Sequence, residues 1–241
     1  MTGAINLLFT IKQILLIVLF LESLAVTLAV SLAVALDISP KTYFGEIDRS
    51  GYITYFSFMQ LSLAAVLSFK VYQRVRFARQ FDKTRWFWLI ACIGLFFLAL
   101  DDVIGIHEQI DLWIHDLFEL KETDWSDLID DLIVMGYLAV FLAYVAFKWQ
   151  TIKIFQQSFI FFKLGFILAL VMVILDLASN NTLFISMLTE DEVLILAIQE
   201  WLSVIEDSAK IFAEGMFLIG IYQCWQMVTI TNNKRLKSER R

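Results

Sequence analysis

The chain has 241 residues, 59% of them hydrophobic and 18% charged, with a net charge of −6, one Pro and two Cys. Soluble domains run nearer about 45–50% apolar and about 25% charged, so this composition excludes an ordinary water-soluble fold. Nine Gly and one Pro leave little turn material for an all-β protein, and Cys92 and Cys224, each inside an apolar run, form neither a disulfide framework nor a CxxC metal motif.

A helix crossing the hydrocarbon core needs about 20 predominantly apolar residues. In chain order six stretches qualify: 14–36, 53–72, 86–106, 128–147, 159–179 and 203–228. Backbone groups in lipid must be satisfied within their own segment, so each stretch predicts a helix. The expected fold class is therefore all-α: one integral membrane domain over 1–241, a bundle of six transmembrane helices in the cell inner (plasma) membrane. Ala33-Val34-Ala35 resembles a signal-peptidase site, but the first run is longer than a usual signal core, and its loss would leave five spans.

The connections sort by charge. Lys12 precedes the first stretch; Lys70, Arg74, Arg76, Arg79, Lys83 and Arg85 follow the second; Lys148, Lys153 and Lys163 follow the fourth; Lys234, Arg235, Lys237, Arg240 and Arg241 form the tail. Those are 15 of the 19 basic residues. Of the acids, only Asp82 and Glu239 lie on that side. Positive charge marks cytoplasmic loops, so both termini are expected in the cytoplasm, which an even number of spans requires. Topology accounts for the basic loop and tail without nucleic acid; the expected partner is the lipid bilayer, with a homo-oligomer or membrane partner left open.

Ionisable residues inside spans are expensive, about 2.5–3.5 kcal/mol each on insertion scales. Here they gather. Asp101 and Asp102 sit near the outer end of the third stretch, Asp130 and Asp131 at the start of the fourth, and Asp176 near the outer end of the fifth. Glu206, Asp207, Lys210 and Glu214 open the sixth, while Glu22 lies nearer mid-span in the first. If the third helix ran on through Trp113, then at about 100° per residue Asp101, Glu108, Asp111 and His115 would share a sector of about 80°, with His107 at its edge and Asp102 pointing about 100° away. A plainer reading makes 107–127 and 190–202 amphipathic helices on the outer surface, with Asp111, His115, Asp116, Glu119, Glu122, Asp124, Glu190, Asp191 and Glu192 facing water.

The segments FLALDDVIGIHE at 97–108 and VIEDSAKIF at 204–212 resemble a widespread group of uncharacterised bacterial multi-pass membrane proteins. In that group a third span ends in two acids followed by His-Glu, and a last span opens with paired acids. The resemblance places Asp101, Asp102, His107 and Glu108 in the first motif and Glu206 and Asp207 in the second. The chain departs from the pattern at Lys210. The resemblance implies a site and no activity.

Two chemistries are expected from these residues. Carboxylates with imidazole suit Zn, Mn or Fe, so Asp101, Asp102, His107, Glu108, Asp176, Glu206 and Asp207 are candidate ligands of a divalent cation, which could serve a metal-dependent membrane hydrolase. Alternatively, buried acids with a Lys are ingredients of a cation- or proton-linked transporter or sensor, or the polar packing of an accessory subunit. No catalytic nucleophile pattern is present, so catalytic residues and substrate stay unassigned.

Overall fold

The computed structural model describes residues 10–44, 51–118, 128–180, 185–186, 189 and 191–238. Glu119, Glu122, Asp124, Glu190, Arg240 and Arg241 lie outside them, as do the side chains of Arg79, Asp130, Asp131 and Lys237. The described residues form seven α-helices longer than one turn: α1 (Ile11–Leu36), α2 (Tyr52–Val75), α3 (Arg85–Ile104), α4 (Ile106–Phe118), α5 (Leu128–Phe147), α6 (Phe159–Asn180) and α7 (Glu192–Ser238). Short 3-10 segments at Pro40–Tyr43, Arg79–Thr84 and Lys153–Ser158 join them, and no strand occurs among these residues.

Among the described residues five helical stretches are long and apolar enough to cross a membrane: Ile11–Leu36, Tyr52–Val75, Gln80–Ile104, Trp149–Ser179 and Glu192–Arg235. The protein is thus all-α, with the build of a multi-pass membrane protein. α5 ends at Phe147 as expected, but its described apolar stretch, Leu132–Phe147, is shorter than those five. Large apolar side chains cover the outside. Leu16, Phe20, Val140 and Phe147 are each more than half exposed, a surface that water would penalise and acyl chains would not.

Local chemistry sets the helix ends. Thr10 and Gln13 form a capping box at the start of α1, each side chain meeting the other's backbone N–H. At the far end of α3, Gly105 takes the left-handed conformation (φ 64°) and its N–H returns to the Asp101 carbonyl. A side chain at that φ is disfavoured, and the turn ends the helix. This corrects the expectation of one helix running from 86 through Trp113. α4 is a separate helix, so the shared sector drawn for Asp101, Glu108, Asp111 and His115 does not exist. His115, expected at the surface, is instead buried, its Nδ1 3.1 Å from the Asp111 carbonyl, in a helix that packs against α5. The surface helix expected at 190–202 is also corrected: from Glu192 onward it is the first part of α7, a single helix of 47 residues. At about 1.5 Å per residue α7 is roughly 70 Å long, about twice the hydrocarbon thickness.

α7 is the axis of the bundle, packing against α1, α2 and α6. Its cores form two apolar layers. One, toward the end rich in Lys and Arg, joins Val71, Val75, Trp88, Phe155, Ile221 and Val228; the Phe155 ring meets Phe81 and Trp88, each at 5.3 Å between centroids. The second, toward the acid-rich end, joins Ala29, Phe44, Ile53, Val204 and Ile211. At the basic end Arg74 donates to Thr229 Oγ1 (2.8 Å) and lies over the Trp225 ring, while Asn232 donates to the Arg74 carbonyl. These bonds clamp the ends of α2 and α7 together.

Candidate functional site

Between the two apolar layers lies a polar one. Glu22 on α1 is fully buried, and Ser57, Gln60 and Glu214 are each less than 10% exposed. Gln60 Nε2 donates to Glu22 Oε1 (2.7 Å), and Ser57 Oγ donates to Glu214 Oε1 (2.6 Å). The other oxygens, Glu22 Oε2, Gln60 Oε1 and Glu214 Oε2, are buried with no hydrogen-bond partner. Glu22 reaches this depth because Gly215, the residue after Glu214, has no side chain: a Cβ there would overlap Glu22 Oε1 and approach Val18 Cγ1 to 2.9 Å. A glycine notch in α7 therefore seats the carboxylate of α1.

Toward the acid-rich end the layer continues through Lys210, one turn from Glu214, whose ammonium pairs with Asp102 of α3. Asp207 and Glu214 also lie within electrostatic reach of Lys210, and Asp102 and Glu22 within reach of Glu214. Three carboxylates, Asp102, Asp207 and Glu214, thus share one ammonium, and Glu22 lies beyond them next to Glu214.

The residue before Asp102 serves a different end. Asp101 is buried and accepts twice from His107, from its backbone N–H and from Nδ1, each at 2.9 Å. The first bond satisfies an open N–H in the first turn of α4, so Asp101 helps restart the helix beyond Gly105. The second leaves His107 Nε2 turned toward Glu108 Oε1, 3.9 Å away.

The expected ligand residues are therefore divided. Asp101, His107 and Glu108 meet at the α3–α4 junction, whereas Asp102 points to α7 and Lys210. Asp207 stands near Lys210, and Asp176 on α6 and Glu206 on α7 are half-buried. Among the described residues no three His, Cys, Asp or Glu side chains stand together as metal ligands would. The residues that do converge at mid-bundle, Glu22, Ser57, Gln60 and Glu214, are outside the expected set. Glu22 and Glu214 carried a signal as charges in apolar runs; Ser57 and Gln60, being neutral, carried almost none.

No curated protein and no solved structure matches the chain. A family model does, over residues 10–224, which takes in every residue of the polar layer. The chain belongs to the family described as domain of unknown function DUF8692.

Proposed function

We propose that this is a six-span membrane protein with both termini in the cytoplasm, and that its buried carboxylates bind protons as part of a proton-linked transporter or sensor. In this reading α5 is the remaining span and the acid-rich end faces outward, as the distribution of Lys and Arg supports. The observation that carries the proposal is the sealed polar layer itself. Glu22 and Glu214 sit between two apolar plugs, and the nearby ammonium of Lys210 is already paired with Asp102. A charge in such a place costs about 2.5–3.5 kcal/mol on insertion scales, and protons offset it with no further ligand. The divalent-metal reading of Asp101, Asp102, His107, Glu108, Asp176, Glu206 and Asp207 is not adopted, because among the described residues no three His, Cys, Asp or Glu side chains are grouped as ligands of one ion would be.

Infrared difference spectroscopy on the purified protein tests this directly. Raising the pH should remove a protonated-carboxyl carbonyl band, and Glu22→Gln and Glu214→Gln should each diminish the change. A spectrum with no titrating carboxyl band would overturn the proposal.

A further inference from the structure

We infer that the layer formed by Glu22, Gln60 and Glu214 also binds a sodium ion, which enters in exchange for a proton. The inference rests on the ion-binding role proposed above and identifies a second ion. Its basis is an imbalance of donors and acceptors. The layer contains six side-chain oxygens: two from Glu22, two from Glu214, Gln60 Oε1 and Ser57 Oγ. Its donors are the Gln60 amide and the Ser57 hydroxyl, and the bonds they make go to Glu22 Oε1 and Glu214 Oε1. Three buried oxygens, Glu22 Oε2, Gln60 Oε1 and Glu214 Oε2, face no donor. A proton converts one carboxyl oxygen to a donor and can serve one more acceptor. A cation accepts lone pairs from all three.

The ligand chemistry selects the ion. Two carboxylates, an amide oxygen and a hydroxyl make an all-oxygen set, which suits a hard cation and not a thiolate- or imidazole-seeking one. Calcium takes about 6–8 oxygens, whereas only three here lack a donor, and magnesium keeps an octahedral shell with its own waters. The charge also fits a monovalent ion. The charged groups facing the layer are Glu22 from α1, Asp102 from α3, and Lys210, Glu214 and, one turn further out, Asp207 from α7; α2 contributes the neutral Ser57 and Gln60. With Lys210 paired to Asp102, and Asp207 lying outside the layer itself, Glu22 and Glu214 leave two negative charges within it. Two protons balance them, and so do one proton and one sodium ion. Exchange is then one for one: sodium enters, one proton leaves, and the net charge is unchanged.

The test is thermal melting of the full-length protein in mild detergent, with NaCl replaced by choline chloride at constant ionic strength. NaCl should raise Tm at alkaline pH, and the concentration giving half the effect should rise about tenfold for each pH unit lowered, as one-for-one exchange requires. Gln60→Met should remove the sodium response. Should that variant not fold, the wild-type protein supplies a second readout, since adding NaCl at fixed pH should diminish the protonated-carboxyl band. Equal melting in NaCl and choline chloride, with a band that ignores sodium, would overturn the sodium site while leaving the proton reading intact. Loss of the titrating band altogether would remove both.

Discussion

Gly215→Ala should be strongly destabilising, and its cost should vanish when Glu22 is removed. The added methyl meets Glu22 Oε1 and Val18 Cγ1. Forcing one methyl into a packed site costs about 1–3 kcal/mol. Relief by displacing Glu22 would break its bond to Gln60 and leave buried polar groups unpaired, another 1–3 kcal/mol or about that. Against these, Ala favours a helix over Gly by about 0.8–1 kcal/mol. The net loss is about 1–5 kcal/mol, and at about 2–4 °C per kcal/mol it is readily seen in a melting curve in mild detergent. In a Glu22→Ala background the carboxylate is gone, only the Val18 Cγ1 methyl must shift by a few tenths of an ångström into the space vacated, and the same substitution should fall within about 1 kcal/mol of neutral. A double-mutant cycle measures the difference, since additivity fails for residues in contact. Equal costs in the two backgrounds would refute the glycine notch as the seat of Glu22.

Lys210→Met should destabilise by about 3 kcal/mol, because it strands Asp102 and Glu214 beside each other without a cation, and Asp102→Asn in the same chain should recover part of the loss. Asp101→Ala should cost about 1–2 kcal/mol and speed amide hydrogen exchange in α4 while leaving α7 protected, since only the start of α4 depends on that carboxylate. Cysteines introduced at Arg79 and Asp124 should label from opposite sides of the membrane; labelling from one side would end the six-span topology. Mn or Zn should leave Tm unchanged. A gain in Tm that disappears in His107→Ala would restore the divalent-metal reading.

The helices were legible because long apolar runs have few other uses, and α5 ends at Phe147 as expected. The break at Gly105 was harder to see. A lone Gly in a helical pattern is usually tolerated, and the residues on both sides remain apolar enough to continue the run. What ends α3 is the combination of Gly105 with Asp101, whose side chain supports the next helix. That is a three-dimensional bond between residues six apart. The candidate site was legible as an excess of acids and obscure in its grouping. Depth along each span placed Glu22 apart from the outer acids, yet it meets Glu214, since α1 packs on α7. Pairing of helices distant in sequence leaves no trace in periodicity. Gln60 and Ser57 were obscure for a different reason: neutral side chains are inexpensive in a span until their partner is known.

The glycine notch also bears on how the protein is made. As the spans leave the ribosome in order, Glu22 enters the bilayer in the first of them, long before the helix that seats it exists. Its earliest partner is Gln60, which follows after 38 residues. The notch at Gly215 follows roughly 10–40 s after Glu22, at synthesis rates of about 5–20 residues per second. For that interval the carboxyl group of α1 must be held by Gln60, by a proton or by an insertion factor, so the polar layer is completed only when α7 closes on α1.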